Sequence, residues 1–165
     1  MRLTTRGRYA VTAMLDLALS GRNGPVIVAH ISARQKILPQ YLEQLFARPR
    51  NHRLVESVRG PGGGFCLSRL PDDISVAEII RAVDEHIDAT RCHGKLNCHE
   101  GKRCMTHELW DDLNGVISGY LASASVSLAQ LIARQASRNA EVQPLKLAQR
   151  QSYGSTAFTK DSKRS

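Results

Sequence analysis

A mainly α-helical chain with one small β-hairpin is what the sequence predicts, and three observations predict it. Two short amphipathic stretches, Val28 to Gln35 and a second opening at Pro39, stand close together. Strand-like runs at Leu54 to Arg59 and Phe65 to Ser68 follow, flanking Gly60-Pro61-Gly62-Gly63-Gly64 as the arms of a hairpin flank its turn. Further on, Leu109, Leu113, Val116, Ile117, Tyr120, Leu121, Ala124, Leu128 and Leu131 keep helical spacing over about six turns. Two short helices with a hairpin behind them make a winged helix-turn-helix, and the long helix supplies a dimerisation element.

The 165 residues suit one ordinary domain with an extension. Residues 1–72 form the winged helix-turn-helix DNA-binding domain in this reading. Residues 73–133 hold a linker helix, a cysteine-rich loop at 92–107 and the dimerisation helix, and 134–165 form a disordered basic tail without periodicity. The net charge of +8 is uneven: residues 1–60 carry +7, residues 61–133 carry −4 and the last 32 carry +5. A basic head is the mark of a polyanion partner. The apolar run Ala10 to Leu19 is broken by Asp16 and has no cleavage pattern after it, and no segment is long enough to span a membrane. A cytoplasmic protein is expected, with no membrane partner.

Thr4 or Thr5 caps a first helix running to about Leu19, with Tyr9, Val11, Ala13, Met14, Leu17 and Ala18 on its apolar face. Arg2, Arg6 and Arg8 cluster at its start, as phosphate contacts or as solvated charge. In the second helix of the pair Tyr41, Leu42, Leu45 and Phe46 are the apolar side, which leaves Gln40, Glu43, Gln44, Ala47 and Arg48 to enter a major groove. A plain helical hairpin with a polar outer face gives the same pattern, and the hairpin that follows favours the DNA reader. A phosphate-cradling loop is the rival for the glycine run, but no Gly-Lys-Ser/Thr follows it. Arg59 at the base of the wing would meet backbone phosphate or minor groove. The candidate DNA-contacting set is Arg2, Gln40, Tyr41, Glu43, Gln44, Arg48, Arg50, Arg59, Gly60 and Gly62. Cys66 alternates with polar neighbours and reads as a small buried hydrophobe. Ser75 with Glu78 is a capping box opening the linker helix through Val76, Ile79, Ile80 and Val83.

The chemistry of the chain is concentrated between Cys92 and His107. Cys92, Cys98 and Cys104 are separated by five residues each and His107 follows three later, so three thiolates and one imidazole can converge on one inorganic centre. Gly94 and Gly101 sit in the two spacers, where the loop must bend through positive φ. A helix beginning near Cys104 would put Cys104 and His107 on one face of its first turn. Structural zinc takes the same donors, although the usual cysteine pair two to four residues apart is absent. A disulfide would leave an odd thiol, and a Cys104/His107 nucleophile pair lacks an orienting third group. His93 and His99 are the alternative imidazoles. No catalytic constellation stands out, so the chain is not expected to be an enzyme.

These residues resemble the IscR family of iron-sulfur cluster assembly regulators, which are homodimeric winged-helix transcription factors. The resemblance spans roughly residues 1 to 130. It rests on Met-Arg-Leu-Thr at 1–4, Gly-Arg-Tyr-Ala-Val-Thr-Ala-Met-Leu-Asp at 7–16, Tyr-Leu-Glu-Gln-Leu-Phe at 41–46, Ser-Val-Arg-Gly-Pro-Gly-Gly-Gly at 57–64, and Val-Asp-Glu with Asp-Ala-Thr-Arg-Cys at 83–92. It implies that Cys92, Cys98, Cys104 and His107 bind a 2Fe-2S cluster delivered by the cluster-assembly machinery, and that Glu43 helps discriminate two classes of DNA site. The function it implies is a regulator, mainly a repressor and occasionally an activator, that senses cluster status at palindromic operators in double-stranded DNA and controls cluster-assembly genes. A redox or nitric-oxide sensor on the same scaffold, or an iron-sulfur carrier, are the rivals. Departures fall in the reading head. Lys36 stands where the family has a turn glycine and would cost about 1 kcal/mol if left-handed. Arg53 likewise replaces a turn glycine, Leu38 and Gln40 stand where serines are usual, and Pro49 should end the reading helix by Arg48.

Overall fold

The structure, a computed structural model, describes residues 4–152 except His86 and Arg91, with side chains described as far as Ala140. Helix α1 (Thr5–Ser20) begins where Thr4 accepts the Arg6 amide at 3.2 Å. Helices α2 (Val28–Gln35) and α3 (Pro39–Asn51) form the helix-turn-helix, and α3 opens with Pro39, whose missing amide is no loss in a first turn. Strands β1 (Val55–Val58) and β2 (Gly64–Leu67) pair antiparallel, with Val55 opposite Leu67 and Val58 opposite Gly64. Helix α4 (Val76–Ala82) starts at the Ser75/Glu78 capping box. Beyond the cysteine-rich loop come α5 (His107–Ala122) and α6 (Leu128–Ser152). The fold is therefore mostly helical with a single two-stranded wing among the described residues. Among those residues no helix is long and apolar enough to cross a membrane.

The wing is docked rather than free. Val26, just before α2, exchanges both backbone bonds with Phe65 at 2.8 and 2.9 Å, which is why position 64 must be glycine: a Cβ there would lie 2.5 Å from the Val26 carbonyl oxygen. Phe65 then stacks on Phe46 of α3 with ring centroids 4.8 Å apart. The core joins Met14 and Leu17 of α1, Ile31 of α2, Leu42 and Phe46 of α3, Leu54, Ile74, Ile79 of α4 and Leu128 of α6, each under 2 % exposed. Burying such side chains stabilises by about 1.5–3 kcal/mol apiece. One polar group belongs to this core. Asp16 is buried and accepts from Arg34 and Gln35, both at 2.5 Å, so α2 is clamped to α1 by a carboxylate that in sequence only interrupts an apolar run.

Lys36 is left-handed at φ 57°, ψ 37°, and ends α2; Arg53 is left-handed at φ 54° between α3 and β1. Both departures from glycine thus sit at positions that would favour it. Four expectations need correction. Helix α3 runs through Pro49 to Asn51, because the proline falls in the last turn, forgoes one amide bond, and buries its ring completely. The apolar pattern from Leu109 to Leu131 is two helices, not one. At Ser123 the hydroxyl donates to the Tyr120 carbonyl at 2.7 Å, and the chain turns so that Leu128 enters the core with its amide on the Ile74 carbonyl at 2.8 Å. Helix α6 continues to Ser152, into the segment expected to be disordered, since Ala, Gln, Arg and Leu favour helix without any apolar stripe. Residues 153–165 of that tail lie outside the described residues. Cys66 is half-buried, its Sγ facing Glu56 Oε1 at 3.6 Å, rather than sunk in the core.

Candidate DNA-reading face and metal centre

On α3 the apolar residues Leu42, Leu45 and Phe46 face the core, which leaves Gln40, Glu43, Gln44, Ala47 and Arg50 exposed along the other side. Tyr41 is half-buried and meets Tyr9 edge-on, ring centroids 6.0 Å apart. Arg59, Gly60 and Gly62 are exposed at the wing tip, where Gly60 and Gly62 take φ of 102° and 78°; β1 ends at Val58, so Arg59 stands in the turn and not at the base expected of it. Arg2 lies outside the described residues. Arg48 is placed differently from the rest of its face, because its guanidinium is ion-paired with Asp84, just after α4.

Asp84 opens a strap that leads from α4 to the first cysteine. Asp84 itself is left-handed at φ 53°. Its neighbour Glu85 is buried and accepts from both the Thr4 amide and, at 2.9 Å, the Thr4 hydroxyl. Two adjacent carboxylates therefore hold the strap to the reading helix and to the start of α1. Sequence reading missed both, although Val83-Asp84-Glu85 is among the runs that carry the family resemblance; neither partner is near in sequence.

The cysteine-rich loop is built from two tight turns. The Lys95 amide donates to the Cys92 carbonyl at 3.1 Å across His93 and Gly94, and His99 and Lys102 exchange backbone bonds at 3.0 and 2.8 Å across Glu100 and Gly101. All four central residues have positive φ, the requirement of a type I′ turn. The glycines were therefore rightly expected to mark bends. Between the turns the side chains converge: Cys92 Sγ lies 3.5 Å and Cys98 Sγ 3.7 Å from His107 Nδ1, and the three ligand atoms fall within 4.8 Å of one another. Cys104 stands outside that group, its amide donating to Cys98 Sγ at 3.1 Å. It shares with Cys98, His107 and Trp110 the lining of an open cavity of about 290 Å³. Helix α5 begins at His107, so Cys104 precedes it instead of sharing its first turn. His93 and His99 are exposed, whereas His107 is 3 % exposed.

The thiols are electrostatically unequal. The neighbouring Cys98 thiol draws Cys104 below the ordinary thiol range, and the Thr106 hydroxyl adds to this; Cys104 raises Cys98 in turn. Burial pushes Cys92 up, but the Leu96 amide, the Thr90 hydroxyl and Cys98 together bring it below its ordinary value. Two of the three cysteines thus lean toward thiolate, the form that ligates metals. Cys98, Cys104 and His107 on the cavity, with Cys92 against the imidazole, make a donor set that fits a 2Fe-2S cluster, in which sulfur ligands predominate and imidazole is admitted.

The family model for Rrf2, described as an iron-dependent transcriptional regulator, matches residues 3–134. The chain is 57 % identical over 135 residues to the HTH-type transcriptional regulator IscR of Photorhabdus laumondii, covering 82 % of this chain and 81 % of that protein. It is 59 % identical over 134 residues to a putative HTH-type transcriptional regulator, ORF2, of Azotobacter vinelandii, covering 81 % and 80 %. Among solved structures it is similar to T. potens IscR (TM-score 0.66, 34 % identity, 82 % of this chain and 88 % of that one). It is also similar to CymR, the global cysteine regulator of B. subtilis (TM-score 0.69, 30 % identity, 81 % and 98 %).

Proposed function

The chain belongs to the Rrf2 family of iron-dependent transcriptional regulators, and from that premise we propose a homodimeric repressor, occasionally activator, that reads iron-sulfur status through a 2Fe-2S cluster and controls cluster-assembly genes. It is a DNA-binding regulator and not an enzyme, as its relatives are. The observation that carries the cluster reading is the convergence of Cys92, Cys98 and His107 in a chain that also carries a winged reading head. A lone zinc would draw all four ligands into one tetrahedron. Cys104 standing apart, on the same cavity, suits a binuclear centre better.

When bound, such a cluster supplies a labile redox-active centre whose occupancy reports supply. The residues of the chain do the rest. Cys92, Cys98, Cys104 and His107 are the ligands, and the Asp84–Glu85 joint carries their state to α3 and α1. Gln40, Tyr41, Glu43, Gln44 and Arg50 read or approach the groove, Arg48 on the same helix is held back by Asp84, and Arg2, Arg59, Gly60 and Gly62 meet the backbone. Glu43 rejects sequences that present acceptor atoms. On α5, Leu109, Val116 and Tyr120 are more than half exposed, an apolar face that a second copy would cover, and a two-fold pair of heads matches a palindromic operator in double-stranded DNA. Cytoplasmic residence and loading by the cluster-assembly machinery follow from this reading. Anaerobic purification should yield coloured protein with about two irons and two acid-labile sulfides per chain. Zinc without sulfide would refute it.

A further inference from the structure

Beside the ligands, the strap is fastened to α5 a second time, without metal. Asp88 Oδ1 accepts from the Thr90 amide and hydroxyl, each at 2.7 Å, and from Asn114 Nδ2 at 2.9 Å. Asn114 Oδ1 accepts from the Ala89 amide at 2.7 Å, and Thr90 Oγ1 accepts from the Gly94 amide at 2.9 Å. Thr90 is buried, Asp88 and Asn114 half-buried. Asn114 follows His107 by seven residues, two turns of α5 on the same face and about 10 Å along its axis. Asp88 and Ala89 are thus bonded to Asn114 of α5, and Cys92 meets the same helix again at His107.

We propose that Asn114 and Asp88 are positioning residues that keep Cys92 beside His107 in the metal-free protein, so that the centre is refilled without the loop having to refold. The proposal rests on the metal-centre reading above. Its physical basis is preorganisation: holding Asp88, Ala89 and Thr90 in place is an entropy cost already met before the ligands bind. Thr90 Oγ1 is bonded to Asp88 and accepts from the Gly94 amide, which ties Asp88 to the first tight turn, the one that Cys92 opens.

The test is titration of the reduced, metal-free full chain with cobalt(II), read by thiolate charge-transfer and d–d absorption. The variants are Asn114→Asp, Asn114→Ala and Asp88→Asn. Asn114→Asp is the sharpest, since it keeps shape but turns the donor facing Asp88 into a like charge. Both Asn114 variants should bind cobalt about ten- to a hundredfold more weakly, the usual effect of losing an outer-shell partner. Their d–d band positions should stay unchanged, because the ligands themselves are retained. Hydrogen exchange at the Ala89 and Gly94 amides should quicken while the core amides of α1 and α3 keep their protection, which general destabilisation would not allow. Should an Asn114 variant fail to fold, Asp88→Asn, which keeps the acceptor oxygen and the size, carries the same comparison with a smaller expected loss. Equal cobalt affinity in folded Asn114→Asp and the parent overturns the proposal. A parent chain that gives no thiolate–cobalt band overturns the metal-centre reading instead.

Discussion

Replacing Asp84 by alanine should make the protein bind DNA more tightly at low salt and lose that gain faster as salt rises. Arg48 lies on the reading helix, yet its guanidinium is paired with Asp84, and both side chains are substantially exposed, at 43 % and 68 %. An exposed pair of this kind is worth about 0.2–1 kcal/mol, so its removal should leave the fold intact. The freed guanidinium can then reach a phosphate. One added phosphate contact steepens the dependence of log K on log salt by about 0.9, hence by about 1.8 for the proposed pair of subunits on a palindrome. Between about 50 and about 200 mM salt that slope means roughly twelvefold more affinity lost than by the parent. Fluorescence anisotropy with a labelled operator duplex across that range measures it directly. The double variant Asp84→Ala/Arg48→Ala should return to a slope no steeper than that of the parent. Parallel slopes for Asp84→Ala and the parent would show that Arg48 gains nothing from release, and that the pair is not what keeps it from DNA.

Lys36→Gly and Arg53→Gly should each stabilise the fold, since relief of about 1–2 kcal/mol of left-handed strain exceeds the glycine entropy cost of about 0.5–1 kcal/mol; thermal melting should rise by a few degrees for each. Alanine at Cys92, Cys98 or Cys104 should empty the centre, whereas Cys66→Ala, on the wing, should leave iron content unchanged. Glu43→Ala should broaden the set of bound sequences in a binding-site selection, while Arg59→Ala should weaken all sites together and flatten the salt slope. The Asp88 carboxyl is held below its ordinary value of about 3.9 by the Thr90 hydroxyl first, then by the Thr90 amide and Asn114. Its stabilisation is therefore present in full above about pH 4 and disappears as pH falls through the depressed native value. Denaturant unfolding of the parent and Asp88→Asn should converge below that point and separate above it.

Local bonds made the front of the chain legible. Thr4, Pro39 and the Ser75/Glu78 box announce helix starts because each satisfies or lacks an amide within one turn of itself, and all three begin helices as the sequence suggests. The glycines at 60–64 announce the wing for the same reason. The break at Ser123 was hidden because two helices in nearly the same register preserve one apolar period, and only the pull of the core on Leu128 separates them. Asp16, Glu85 and Asn114 were invisible as structural residues since their partners lie 18, 81 and 25 residues away. A weak signal did exist for Asp88, the partner of Asn114: Asp88-Ala89-Thr90 is the pattern of a side chain bonding the amide two residues on.

Leu128 has a consequence for modularity. It comes 56 residues after the nominal end of the reading domain at 72, yet it is fully buried among Met14, Phe46 and Ile79 in one continuous core. A fragment cut after the wing, or anywhere short of Leu128, would expose a leucine-sized hole, a deficit of about 2–5 kcal/mol by analogy with leucine truncations. The head is thus not a detachable cassette. Any insertion, deletion or fusion between α4 and α6 must keep the return path that brings Leu128 home, and a chimera that swaps the sensing loop must carry this plug with it.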